Sequence, residues 1–371
     1  MTDFLIVGGG VIGLLMAKGL ARAGASVTLV EKGECGQEAS WAGGGIVSPL
    51  YPWRYTNAVT ALAREAQRSY PQIVQSLLEE TGIDAQLQQT GLLMLEADDA
   101  AQALSWAQQY SSAMQAISAD AIYQRVPNLA KGFEQGLWMP NIANVRNPKL
   151  LKALVASVRM DANISVTEHA EVTGFEVVEG GTQRQVRRVF MNRNGQKVAL
   201  SAQQFVITAG AWSRQVLQAL GVDIPIEPVK GQMLLFKPPQ RLLDSIVLTQ
   251  GRYLIPRRDE HILVGSTLEY SQFDKSTSED ALVSLRRSAI AMLPSLEKFP
   301  VVKQWAGLRP GAPKGVPYIG RVSAYENLSV NAGQFRNGLV LAPASAKLLT
   351  DILLKQTTSI DPTPYRLERT P

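Results

Sequence analysis

Hydrophobic positions follow two rhythms along this 371-residue chain. One is a set of short apolar runs, rich in β-branched residues and bounded by glycine or polar residues. Residues 4–7 (FLIV) and 26–31 (SVTLVE) are the first two, and both read as buried strands. "TGLLMLEA" (90–97), "ISVTEHAEVTGFEVV", "VRRVFMN", "QQFVITAG", "EPVKGQMLLFK", "RYLIPRRD", "HILVGST" and "LSVNAG" read as further strands. The other rhythm is the three-to-four-residue spacing of amphipathic helices. It marks 14–23, 61–80, 99–115, 149–159, 278–292 and 342–354. Asn147 reads as a cap and Pro148 as the first turn of the fourth of these. Strand–turn–helix units occur at the start, around Val206 and at the end, with antiparallel-looking strands and helices between them. That alternation predicts two discontinuous, interwoven domains.

The opening stretch, "DFLIVGGGVIGLLMAKGLARAG", raises a choice of solvent. Its uncharged run between Asp3 and Lys18 is 14 residues long, short of the roughly 20 a membrane span needs. Its glycines fall at Gly8-x-Gly10-x-x-Gly13, and Gly24 follows the helix. In that spacing Gly8 permits the turn, Gly10 lets a pyrophosphate approach the backbone, and Gly13 lets helix and strand lie close. The helix N-terminus then offers unpaired N–H groups and partial positive charge. Glu31 ends the second strand, where a carboxylate accepts ribose hydroxyls and repels a 2′-phosphate. The stretch reads as a cradle for FAD or NAD rather than NADP.

Composition narrows the classes. The leader Met1-Thr2-Asp3 carries no Lys or Arg and does not read as a secretory signal. Cys35 is the only cysteine, which excludes an intrachain disulfide and fits a reducing cytoplasm. With one cysteine and two distant histidines, His169 and His261, no metal site or Cys-His pair is expected; both histidines read as structural or exposed. The net charge of +5 is scattered. Its densest clusters, 184–193 and Arg257-Arg258, read as solvated surface, so no nucleic-acid partner is expected, while the field suits an anionic substrate.

Three stretches bear on which dinucleotide binds. "EASWAGGGIVSPL" (38–50) is a small-residue loop able to press backbone against a flat ring. "FVITAGAWS" (205–213) is a strand ending before a helix. "NAGQFRNGLVLAPASAKLLTDIL" (331–353) places glycines and Arg336 ahead of the last helix. With "WAGLRP…GVPYIG", these segments resemble the D-amino-acid oxidase family of FAD-dependent amine oxidoreductases. Within it the chain most resembles the glycine-oxidising branch of thiamine biosynthesis, over nearly its whole length.

The resemblance implies an α/β fold, α+β overall. A GR2-type Rossmann-like FAD domain (1–60, 146–220 and 300–371) is interleaved with a substrate domain on an antiparallel sheet (61–145 and 221–299). It implies noncovalent FAD, the C-terminal part having no cysteine to attach it. Cofactor contacts fall on the glycine turn with Val11 and Ile12, on Glu31 and Lys32, and on Ala39 and Ser40. They continue on Gly44, Gly45 and Ile46, on Val172 beside the adenine, and on Gln334, Phe335, Arg336, Asn337, Gly338, Leu339 and Val340.

Three residues carry the implied substrate chemistry. Arg309 fixes the carboxylate with two parallel charge-assisted N–H bonds, which a lysine cannot supply. Tyr253 hydrogen-bonds the same carboxylate, and Arg336 stands between it and the flavin. No side chain acts as acid or base, and the enzyme's contribution is orientation. Gly251, Leu268, Ile46 and Gln334 depart from residues common in the branch, which leaves the preferred amine open. The implied reaction deaminates glycine, sarcosine or small D-amino acids with O2, yielding the 2-oxo acid, ammonia or amine, and hydrogen peroxide. The glycine imine would supply thiazole synthesis. A dehydrogenase passing electrons to a quinone or other carrier is the alternative, and a homo-oligomer, a tetramer, is implied.

Overall fold

The structure, a computed structural model, describes residues 2–181 and 183–369. Its base is a six-stranded sheet in the order Tyr318–Arg321, Leu328–Ala332, Ala202–Ile207, Thr2–Val7, Val27–Val30 and Ile164–Thr167. All neighbours are parallel except the first pair. Parallel strands are covered on both faces and need continuous apolar runs; Leu5, Ile6, Phe205 and Val206 are fully buried. The first helix, Val11–Arg22, and the last, Gly338–Leu353, share one core on one face. A three-stranded antiparallel sheet (Ala170–Glu179, Arg184–Arg193 and Gln196–Leu200) packs Val189 and Met191 against the other.

The second layer is an eight-stranded sheet. Its order is Val301–Gly311, Glu227–Phe236, Ile262–Gly265, Arg252–Pro256, Ile246–Thr249, Leu92–Leu95, Gln135–Met139 and Gln115–Ser118. Only Ile246–Thr249 and Leu92–Leu95 pair in parallel. Helix Glu279–Met292, whose Ser278 caps it, lays Leu285 and Ala289 against one face. Met233, Tyr253 and Ile255 on the other face pack with Ile46, Tyr51 and Trp53.

Several elements differ from the sequence expectation. The run read as one strand from 164 is two, in different sheets, because the chain turns at His169 with φ 55°. The helix read to residue 115 ends at Gln109, the chain leaving the helix through Ser111 at φ 50°, and Gln115–Ser118 becomes an edge strand. Asn147 is the first helical residue rather than the cap; Arg146 holds the cap position, and the Asn147 amide donates to the Ser40 carbonyl at 2.8 Å.

The last helix starts at Gly338, ahead of the residue 342 expected, and carries Pro343 inside it. Proline lacks the N–H that would bond the carbonyl four residues back. That carbonyl, on Leu339, instead accepts the Tyr70 hydroxyl at 2.5 Å. Tyr70 belongs to helix Asn57–Thr81, which packs Val59 and Leu62 into the core of the first and last helices. The boundary read at residue 60 therefore cuts an element that lies with the six-stranded sheet. The boundary read at 300 likewise assigns Val301–Gly311 away from the eight-stranded sheet it pairs with.

Candidate active site

The glycine turn is closed by contact. A Cβ at Gly8 would overlap the Thr208 carbonyl, and one at Gly13 would overlap the Gly8 carbonyl. Thr208 locks this turn, its hydroxyl donating to Gly8 O at 2.8 Å and lying 3.1 Å from Val7 O. The helix from Val11 starts with no acid in its first turn and no capping side chain on Gly10. The Ser40 hydroxyl accepts the Val11 N–H at 3.0 Å. The positive end of this helix therefore remains available to an anion.

Glu31 is buried, and its carboxylate accepts the Gly9 N–H at 2.7 Å and the Gly33 N–H at 2.9 Å. Lys32 extends its ammonium over Trp212, 3.1 Å from the ring centre. Burial pushes the Lys32 pKa below the usual lysine value, while Glu38, Glu31 and Glu171 pull it back.

A cavity of about 380 Å³ runs from here to the antiparallel sheet. Gly8, Gly10, Val11, Ile12, Glu31, Lys32, Ala39, Ser40, Gly44, Gly45, Ile46 and Val172 line it, as do residues 334–340. Arg309, Tyr253 and Arg336 line it too. Of the predicted residues only Gly13 lies off the wall, where it packs helix against turn.

At the far end, Arg309 lies on the edge strand Val301–Gly311. Its Nη1 donates to the Lys230 carbonyl at 3.3 Å and the Thr267 carbonyl at 3.2 Å, and Nη2 donates to Ser266 Oγ at 2.8 Å. Burial lowers its pKa from the ordinary arginine value, and the nearby Arg336 charge acts in the same direction. The Tyr253 ring is buried; a Cβ at Gly44 or Gly265 would press on it. Its hydroxyl stands 3.6 Å from Met233 Sδ. Arg336 is exposed and makes no ion pair among the described residues. The acids of the wall, Glu31, Glu38 and Glu171, all cluster around Lys32. This end of the wall thus holds two cations and no carboxylate.

The sequence departures have distinct positions. Gly251 has φ 76° and open space where a Cβ would sit. Leu268 is exposed and off the wall. Gln334 is buried, its amide donating to Asn331 Oδ1 at 2.7 Å. Neither histidine lines the cavity; His261 Nδ1 lies 3.0 Å from Asp259 Oδ1.

Thr208, Trp212 and Arg257 are among the wall and support residues that escaped prediction. Thr208 and Trp212 lie in "FVITAGAWS", whose strand-to-helix turn was the available signal. Arg257 was read as solvated surface but is only 6% exposed. It donates to Gly44 O at 2.8 Å, Asn144 Oδ1 at 2.9 Å and Val145 O at 3.0 Å. Burial, with Arg146 adding to it, pushes its pKa down to about 10.

These groups fit a long dinucleotide. The glycine cradle and helix N-terminus suit a pyrophosphate, and Glu31 suits a ribose diol. The small-residue wall at Gly44 and Gly45 admits a flat ring.

Residues 3–352 match the family profile described as FAD dependent oxidoreductase. The chain is similar to the glycine oxidase of Pseudomonas putida, at 50% identity covering 98% of each chain. It is equally similar to that of Pseudomonas aeruginosa, at 50% identity covering 97% of each. The crystal structure of glycine oxidase from Geobacillus kaustophilus matches with a TM-score of 0.92 and 28% identity, covering 100% of this chain and 99% of that one. No described helix is long and apolar enough to cross a membrane.

Proposed function

This chain belongs to the FAD-dependent oxidoreductase family typified by D-amino-acid oxidases, and on that premise we propose that it oxidises glycine and related small amines. The products are the 2-oxo acid, ammonia or amine, and hydrogen peroxide, with O2 as the acceptor. Sarcosine and small D-amino acids belong to the same substrate class, and the glycine imine feeds thiamine thiazole synthesis. The observation that carries this reading is a half-buried guanidinium, held by neutral oxygens, in the same cavity as a dinucleotide cradle.

FAD, held noncovalently, supplies the two-electron acceptor for the Cα–H hydride. Arg309 holds the substrate carboxylate, Tyr253 adds a hydrogen bond, and Arg336 stands between that carboxylate and the flavin. The wall at this end offers no carboxylate or imidazole to the amine. The protein therefore contributes orientation, which converts an encounter into a unimolecular step. Helix Gly338–Leu353 begins at the wall with no acid in its first turn, so its positive end favours negative charge there.

The same reading extends to a cytoplasmic homo-tetramer. It assigns the six-stranded sheet to the cofactor unit and the eight-stranded sheet to the substrate unit. The test is anaerobic mixing with glycine, sarcosine, D-alanine and D-proline, followed by flavin absorbance. Glycine or sarcosine should bleach the flavin, and air should then return peroxide stoichiometrically. Bleaching without peroxide would move the enzyme to the dehydrogenase class. No bleaching by any of the four would sink the proposal.

A further inference from the structure

We propose that Ser266 is a positioning residue that determines which edge of the Arg309 guanidinium meets the substrate carboxylate. The inference rests on the reading of Arg309 as the carboxylate anchor.

A guanidinium has five N–H donors in one plane. Three hydrogen bonds leave Arg309 for the protein, two from Nη1 to the Lys230 and Thr267 carbonyls and one from Nη2 to Ser266 Oγ. The Ser266 bond, at 2.8 Å, is the shortest. Nε makes no hydrogen bond among the described residues. The Nε–H and the second Nη2–H remain, two donors for one carboxylate.

The bed beneath is equally specific. Gly231, on the neighbouring strand Glu227–Phe236, lies so close that any Cβ there would overlap the guanidinium. The plane therefore rests flat on backbone, and its remaining freedom is a swivel within that bed. Ser266 Oγ blocks the swivel by taking one Nη2 proton. Ser266 is itself anchored, since Arg252 Nη1 donates to its carbonyl at 2.6 Å and Arg252 Nη2 to Ser284 Oγ at 3.3 Å.

The choice of a hydroxyl has an electrostatic reason. All three acceptors are neutral, so they orient Arg309 without cancelling its charge. The one acid whose charge acts on Arg309 is Glu269, and its carboxylate is engaged by the Thr267 hydroxyl at 2.5 Å and the Gln232 amide at 3.0 Å. A carboxylate in place of Ser266 would compete with the substrate for the same protons. Ser266 does not line the cavity, so its effect reaches the substrate only through Arg309.

The test compares Ser266→Ala, Ser266→Thr and Arg309→Ala as purified holoenzymes. Three quantities are read: the dissociation constant of acetate from its perturbation of flavin absorbance, KM for glycine, and the limiting rate of anaerobic flavin reduction. Ser266→Ala should weaken acetate and raise KM about tenfold, the loss of one charge-assisted bond. Its limiting rate should change by less than about threefold, and its FAD content not at all. Ser266→Thr, which keeps the hydroxyl, should restore both binding constants. If Ser266→Ala binds acetate like the parent while Arg309→Ala does not, the role of Ser266 is refuted and the anchor stands. If Arg309→Ala also binds acetate normally, the anchor falls and this inference with it. Loss of FAD from Ser266→Ala, or a limiting rate falling as far as KM rises, would make Ser266 a residue of the fold and equally overturn it.

Discussion

The two ends of the cavity are built by opposite means. At the glycine turn the wall is formed by Gly8, Gly10, Val11 and Ile12 from one continuous stretch that Gly13 packs from behind, and what matters is the absence of side chains at the glycines. At the carboxylate end the groups are side chains delivered by four adjacent strands. Arg309 comes from the edge strand and its bed, Gly231, from the next; Ser266 follows the third, and Tyr253 lies on the fourth. Register explains their convergence. Gly265 pairs with both Met233 and Tyr253, and its missing side chain gives the tyrosine ring its space. The first end should therefore fail by steric overlap, and the second by loss or cancellation of charge.

The largest expected effect attacks the backbone end. Gly13→Val puts atoms into the Gly8 carbonyl and against Thr208. No flexible side chain can yield there, so the cost should exceed about 4 kcal/mol, the range reserved for broken cores and cradles. The purified protein should be colourless and fail to take up FAD. A yellow Gly13→Val protein with full flavin content would break the contrast, because the cradle would then be pliable.

Next in size is Arg309→Ala, at the other end. Removing the guanidinium leaves the substrate carboxylate unpaired, so kcat/KM for glycine should fall by about 2–4 kcal/mol, tens- to several-hundred-fold. FAD content should stay at that of the parent. Co-loss of flavin would show that the two ends are not separable.

How much of this was legible in the sequence follows the same division. The phosphate turn could be derived because its logic is local, with strand, glycine spacing, helix and Glu31 all within residues 4–31. The carboxylate end could not be derived by spacing. Arg309 and Tyr253 came from family resemblance, while Gly231 and Ser266 gave no signal, since their meaning depends on which strands pair. Arg257 was misread for a related reason. An Arg-Arg dipeptide looks like surface until a tertiary fold supplies three buried oxygens for one of the pair. Helix ends failed where a distant group intervened, as when the Tyr70 hydroxyl satisfied the carbonyl that Pro343 leaves open.

Arg257 sharpens the comparison because it joins the ends. It follows a strand of the eight-stranded sheet, yet it holds the Gly44 carbonyl of the loop that lines the cavity. Arg257→Lys keeps a charge but not the fork, leaving at least one buried oxygen unpaired, at a cost of about 1–3 kcal/mol. The thermal midpoint should fall, and FAD affinity and KM for glycine should worsen together. A change in only one of the two would show that Gly44 is held by other means.

The smallest effect concerns acid. Asp99 accepts Arg54 Nε at 2.7 Å, Arg54 Nη2 at 2.8 Å and Trp53 Nε1 at 2.6 Å. The Arg54 bonds hold its carboxyl down at about 2, against the opposing push of burial. Arg54 in turn lies 4.1 Å over the Tyr51 ring, whose hydroxyl accepts the Gly251 N–H two residues from Tyr253. A carboxyl with a lowered folded-state pKa stabilises the fold above its unfolded value of about 3.9, and that contribution disappears as pH falls from about 4 to about 2. Because the pair is partly solvent-facing and screened, it is worth less than about 1 kcal/mol at neutral pH. Asp99→Asn should therefore melt slightly below the parent at pH 7, and the two curves should converge as pH falls below 4. Since Asp99 buttresses only the carboxylate end, the substitution should raise KM for glycine modestly and leave FAD affinity alone. A gap in melting temperature that stays undiminished at pH 2, or a loss of FAD affinity, would place the buttress elsewhere and weaken the case for two independent ends.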